Sequence, residues 1–358
     1  MSRPARALLD AGALKHNLQQ VRLHAQRSRV MAIVKANAYG HGLAWVARTL
    51  GESADAFGVS SIEEGLQLRA AGVTRPVCLL EGFFSADELP LLSKQRLEPV
   101  IHHDGQLRAL EQASPLLRLT VWIKVDTGMH RLGFPPVAVE NIVKQLRNSR
   151  AVTGVRIMSH FARAEFPNDD VTRSQINDFA KLIRNLELET SLANSAGILA
   201  WPSSHFDWVR PGIMLYGASP LMDKDAATLD LKPVMTLESA LIAVPPRKKG
   251  DAIGYGGDWR CPEDMPVGVA AIGYGDGYPR HAPPGTPVLV NGRRVPTVGR
   301  VSMDMITLDL RTQPQAKVGD PVVLWGQGLP VEQVAQSAGT VSYELLCQVT
   351  ERIPRVVV

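Results

Sequence analysis

From Leu14 onward the apolar positions Leu14, Leu18, Val21 and Ala25 recur at steps of three or four, the spacing of an amphipathic helix. Val30 to Val34 then runs apolar and rich in β-branched residues, as a buried strand does. It ends in the polar, glycine-bearing stretch Lys35 to Gly42, before a second helical pattern from Leu43 to Leu50. The alternation repeats, with strands expected at 56–59, 77–80, 98–101, 119–125, 152–158 and 190–193 and helices at 61–71, 106–112, 137–147 and 174–186. In the first of these helices Ser61 and Glu64 have the spacing of a capping box, and Gly72 is placed to stop it. Such alternation implies a parallel sheet, and near-continuous apolar strands imply one buried on both faces. The length suits a (β/α)8 TIM-type barrel better than an open sheet, although periodicity alone fits both.

After Tyr216 the pattern changes. The polar stretch 222–232 reads as a linker, and beyond it come short β-type runs broken by Gly and Pro: 235–244, 267–272, 286–290, 294–298, 305–309 and 321–325. A short helix near 331–338 interrupts them before the closing segment 343–358. The expected division is an α/β barrel over 1–230 and a mainly β domain over 231–358. No internal repeat or low-complexity segment is evident.

Composition narrows the possible partners. A chain of 358 residues with 45% hydrophobic content can bury a substantial core. Its 39 basic against 35 acidic residues leave a net charge of +4 spread along the sequence, whereas phosphate-backbone binding needs a concentrated basic face, so no nucleic-acid partner is expected. Cys78, Cys261 and Cys347 are odd in number and far apart, which fits neither a disulfide framework nor a zinc site. No signal-peptide core and no run of ~18 to 20 apolar residues is present. The expectation is a cytoplasmic protein without membrane or metal.

Reactive groups of a parallel barrel belong at the C-terminal ends of its strands. Lys35 follows the first apolar strand directly, where partial desolvation would make its amine a Schiff-base nucleophile; an ordinary solvated lysine is the alternative that position leaves open. Arg131, in Lys124-Val125-Asp126-Thr127-Gly128-Met129-His130-Arg131, is suited to binding a carboxylate bidentately or to a surface ion pair. His160 is suited to stacking on or hydrogen bonding a bound ring, or to a satisfied place in the core. Asn194-Ser195-Ala196-Gly197 and Arg210-Pro211-Gly212-Ile213 have the small residues and free amides that bind phosphate in late barrel loops, though either alone reads equally as a turn.

Val34-Lys35-Ala36-Asn37-Ala38-Tyr39-Gly40-His41-Gly42 resembles the cofactor-lysine signature of the alanine racemases. The likeness continues in collinear order through 124–133, 159–162, 209–217, 273–277, 299–304 and 342–344, nearly the whole chain. The resemblance implies interconversion of L- and D-alanine, for peptidoglycan or for alanine breakdown, with pyridoxal 5'-phosphate held on Lys35 as a Schiff base and Lys35 acting on the Cα proton of the D-enantiomer. It implies that Tyr39, Ser195, Gly212, Ile213 and Tyr343 hold the phosphate, that Arg210 partners the pyridine nitrogen, and that His160 lies beside the ring. An Arg in that place will not surrender its proton, which leaves the ring a weaker electron sink and favours reprotonation at Cα.

Racemisation needs a second acid/base on the opposite face, and Tyr255 and Tyr274 are chemically equal candidates. The family's spacing assigns the role to Tyr255 and places Tyr274 at the entrance with Glu165 and Asp304. The resemblance further implies a head-to-tail homodimer in which Tyr255 and Met303 of one subunit complete the other's site, with the Met303 N–H on the substrate carboxylate. It also implies carbamylation of Lys124 beside Arg131. Ser191 stands where many relatives have His, and Glu165 where Asp is common. A non-catalytic pyridoxal-phosphate carrier would lack the β domain, and a related decarboxylase would pair the ring nitrogen with a carboxylate.

Overall fold

The computed structural model describes residues 3–358. A strand, β1 (Arg6–Leu9), leads into the helix Ala11–His24, where the Asp10 carboxylate accepts from the Ala13 amide as N-cap. Eight parallel strands follow: β2 (Arg29–Ile33), β3 (Ala56–Val59), β4 (Val77–Leu79), β5 (Leu97–Ile101), β6 (Leu119–Lys124), β7 (Val152–Met158), β8 (Glu189–Asn194) and β9 (Trp208–Arg210). They close in chain order into a barrel, β9 returning to β2 with Arg29 opposite Trp208 and Val30 opposite Val209. The expected (β/α)8 barrel therefore forms. Only β9 has no counterpart among the apolar runs; it is three residues long and stops at Pro211, too short for a periodic signal.

Toward the N-terminal end the barrel interior is filled by charge and aromatic rings. Arg156 donates to Glu98 (2.5 Å) and Glu189 (2.6 Å) and lies against the rings of Trp122 and Trp208. The two indole N–H groups donate to the same carboxylates at 2.9 and 3.0 Å. This plug closes one end, leaving the C-terminal mouth as the open one.

The second region is antiparallel except for β19, which runs parallel to β1: β10 (Met235–Ala243), β11 (Pro246–Arg247), β12 (Ala252–Ile253), β13 (Trp259–Arg260), β14 (Met265–Ala270), β15 (Pro287–Val290), β16 (Arg293–Val298), β17 (Ile306–Asp309), β18 (Pro321–Trp325) and β19 (Arg355–Val357). Since β10 pairs with both β14 and β18, the strands β14, β17, β16, β15, β18 and β10 close on themselves.

The sequence gives no sign of a strand before the first helix, yet β1 joins this second sheet, Ala7 standing opposite Leu237 of β10 and Arg355 of β19. Segment 222–232, read as a linker, is pinned to the barrel. Asn17, fully buried in the first helix, donates to the carbonyls of Leu215 and Lys232 and accepts from the Lys232 amide. The capping box at Ser61 does not form. The helix Ile62–Ala70 begins without a side-chain cap, because the Glu64 carboxylate is drawn instead to the Ala36 and Ser60 amides, 2.7 and 2.8 Å away.

Candidate active site

Lys35 emerges two residues beyond β2 and opens a turn that no periodicity foretells. Ala36, Asn37, Ala38 and Tyr39 all have φ between 52° and 54°, a left-handed helical turn closed by Gly40 at 79°. For L-residues this conformation costs about 1–2 kcal/mol each, so the surroundings must hold it. Glu64 ties its start; the Asn37 side chain accepts from the Leu43 amide (2.8 Å); and Arg355 in β19 donates twice to the Gly40 carbonyl, at 3.0 and 3.2 Å. Gly40 is required there, since a Cβ would lie 2.1 Å from the Leu346 carbonyl oxygen.

The turn forms one wall of a cavity of about 380 Å³ at the C-terminal mouth, lined also by Lys124, Arg131, His160, Ser195, Arg210, Gly212, Ile213 and Tyr343. Lys124 is the last residue of β6, His160 lies two past β7, Ser195 follows β8, and Arg210 ends β9. The barrel thus brings together residues from distant parts of the chain.

Arg210 is fully fixed. It donates to the Ser191 hydroxyl (2.6 Å) and to the carbonyls of Ser159 (2.6 Å) and Leu192 (3.2 Å), and reaches His160 Nδ1 at 3.3 Å. Ser191, the departure noted in the sequence, therefore supplies an oxygen to the guanidinium. Nε has no partner among the described residues. Burial lowers the Arg210 pKa to about 10, which leaves it charged at neutral pH. Burial, and then the cations Lys124, Arg210, Arg131 and Lys35, push His160 well below its usual value. It is neutral, and Nδ1 accepts from Arg210. Lys124, enclosed by protein though open to the cavity, is brought down to about 7 by burial and by Arg210 and Arg131.

On the opposite side the Ser195 hydroxyl accepts from the Gly212 amide at 2.8 Å, and Ile213 starts a 3-10 turn whose leading amides have no partner within the turn. Gly212 has no room for a side chain: a Cβ would sit 2.5 Å from the Tyr39 hydroxyl. Tyr39 stacks on Tyr216, ring centroids 4.7 Å apart, and the Tyr216 hydroxyl donates to the Ile33 carbonyl. The pKa of Tyr39 is raised by burial and by Tyr343, and that of Tyr343 is pushed up to about 12 by burial and by Glu165.

Tyr255, Tyr274, Met303 and Asp304 do not line this cavity. They sit on the β domain, with Tyr255 68% and Met303 52% exposed. The loops of Tyr274 and of Met303 and Asp304 are tied together: Tyr274 and Gly275 amides donate to the Ser302 and Met303 carbonyls, and Arg352 pairs with Asp304 at 2.6 Å and with buried Asp276. Two organising residues escaped the sequence reading. Asp126 accepts from the Gly128, Met129 and His130 amides and so shapes the loop bearing Arg131, which an Asp before Thr-Gly signals. Glu64 gave a signal that pointed elsewhere.

A closed parallel barrel with lysine, arginine and histidine converged at its C-terminal mouth, followed by a β domain, defines a two-domain barrel enzyme. The family described as "Alanine racemase, N-terminal domain" matches residues 9–220, and "Alanine racemase, C-terminal domain" matches 234–357. The alanine racemase of Nitrosococcus oceani is 56% identical over 98% of both chains, and the biosynthetic alanine racemase of Escherichia coli K12 is 53% identical over 98% of both. Among solved structures, the biosynthetic alanine racemase of Pseudomonas aeruginosa is 45% identical, covers 99% of each chain and superposes with a TM-score of 0.97; that of Acinetobacter baumannii reaches 0.93 at 41% identity, covering 99% of this chain and all of its own. The chain belongs to the alanine racemase family.

Proposed function

We propose that this protein racemises alanine with pyridoxal 5'-phosphate, removing the Cα proton from one face and returning a proton to the other. Supporting this most directly is Arg210, caged by Ser159, Ser191 and Leu192 with its Nε–H left for a ligand, across a cavity that Lys35 also lines. The residues present fit the cofactor. Lys35 would supply the amine; the Tyr39 hydroxyl, Ser195 and the amides of Gly212 and Ile213, extended by Tyr343, would hold the phosphate; and Arg210, with neutral His160 beside it, would partner the ring nitrogen. When bound, the cofactor supplies an electron sink for the pair left by the departing Cα proton.

Lys35 moves the proton on its own face. Arg210 keeps its proton, which would leave that sink moderate and favour reprotonation of Cα. Arg131 binds the substrate carboxylate. The tyrosines of the cavity itself have raised pKa values, so neither suits the second proton transfer. Exposed Tyr255 takes that role from a second copy, with the Met303 amide on the substrate carboxylate and Tyr274, Glu165 and Asp304 at the entrance. The protein acts as a homodimer with shared sites, its barrel and β domains divided near residue 230. Lys124, its pKa lowered to about 7, adds carbon dioxide through its neutral amine and releases a proton to give a carbamate that orients Arg131; labelled bicarbonate leaving no carbamate carbon signal would exclude this. The "biosynthetic" names of the Escherichia coli and Pseudomonas aeruginosa relatives favour D-alanine supply for peptidoglycan, in the cytoplasm.

Incubation with L-alanine in heavy water tests the reading. Loss of optical activity with deuteration at Cα is expected; a cofactor-loaded, yellow protein that exchanges no Cα proton would overturn it.

A further inference from the structure

We infer that Glu64 is a positioning residue for Lys35: its carboxylate fixes the left-handed turn that sets where the Lys35 amine enters the cavity. This rests on the proposed role of Lys35 above. Glu64 stands in the first turn of the helix Ile62–Ala70, between two barrel loops. Oε1 accepts from the amide of Ala36, the residue after Lys35, at 2.7 Å; Oε2 accepts from Ser60, just past β3, at 2.8 Å. One carboxylate therefore bridges the ends of β2 and β3. Charge-assisted bonds to amides are stronger than neutral ones, and this one acts on the first left-handed residue of the turn. The far end is tied separately through Arg355 and the Gly40 carbonyl. Without the Glu64 anchor the Ala36 amide loses its partner while Arg355 and the Asn37 side chain still hold the rest of the turn, and the residue adjoining Lys35 is free to relax toward the ordinary right-handed region.

Glu64→Gln is nearly isosteric but must turn an NH2 toward one of the two amides, losing that bond and the charge. Glu64→Asp keeps the charge and falls short by a methylene. Three measurements decide: hydrogen exchange of 35–43 in the cofactor-free protein, the pH titration of the lysine-bound cofactor's visible absorbance, and kcat and KM for L-alanine. For Glu64→Gln, exchange in 35–43 rises about tenfold with the rest of the chain unchanged. The absorbance titration is displaced, and kcat falls roughly 10- to 100-fold with KM within about threefold. Glu64→Asp lies between. Unchanged exchange in 35–43 with kcat within about twofold overturns the inference, as does a uniform rise in exchange with loss of thermal stability, the mark of a merely structural role. If Glu64→Gln does not fold, wild-type exchange in Glu64→Asp overturns it. A wild-type enzyme that exchanges no Cα proton defeats the racemase reading alone, since the exchange of the cofactor-free chain still decides Glu64.

Discussion

At the scale of single residues the site is governed by crowding. Gly212 lies where the Tyr39 hydroxyl, the Ser195 hydroxyl and the chain after β9 meet, and the space a Cβ would need is taken. Gly212→Ala is expected to push Tyr39 aside and to weaken cofactor retention by tenfold or more, about 1.4 kcal/mol, read as the cofactor stoichiometry left after dialysis; retention equal to wild type would show that the Tyr39 hydroxyl plays no part in the cradle. Much of this level was legible beforehand. The rule that chemistry sits at C-terminal strand ends selects Lys35, His160, Ser195 and Arg210 without knowledge of any family, and all four line the cavity. Tyr255 was not legible in that way, because its loop belongs to a different domain and an exposed tyrosine has no distinguishing pattern.

Elements follow a different logic. Buried strands announce themselves by composition, so seven barrel strands lie close to their apolar runs, while β9 and β1, three and four residues long, do not. The turn after Lys35 was invisible because Ala and Tyr disfavour a left-handed path and one Asn, which tolerates it, does not announce a run of four; the path is held from outside by Glu64 and Arg355 and from within by the Asn37 side chain. Ser61 and Glu64 matched the capping-box spacing, but a tertiary pair of amides outcompeted the local one. The plug inside the barrel is likewise tertiary. Arg156→Ala would leave the enclosed Glu98 without its cation and the part-exposed Glu189 with Arg29 alone, and unfolding free energy should fall by about 2–3 kcal/mol with the fold's secondary structure retained. Chemical denaturation measures it, and a loss below about 1 kcal/mol would mean that Arg29 and the two indoles suffice.

For the whole molecule the proposal makes the active unit larger than the chain. Lys35→Ala and Tyr255→Phe subunits are each expected to be inactive as homodimers, yet when unfolded together and refolded as a mixture they should recover activity. A heterodimer pairs the intact Lys35 of one subunit with the intact Tyr255 of the other at one of its two sites. Random assortment makes half the dimers mixed, so about a quarter of wild-type activity returns. No recovery, with mixed dimers confirmed by mass, would mean that each subunit carries both groups of its own site.

The two sheets are not stitched together only where the barrel ends. β1 precedes the barrel strands in the sequence but finds its partners in β10 and β19, which follow them. The strand ahead of the barrel is thereby held in the second sheet, between β10 and β19. That same closure brings the opening and closing strands side by side, Leu9 accepting from the Val358 amide. A circular permutation that joins the old ends and opens the chain between the barrel and β10 would let each sheet be synthesised as an unbroken run.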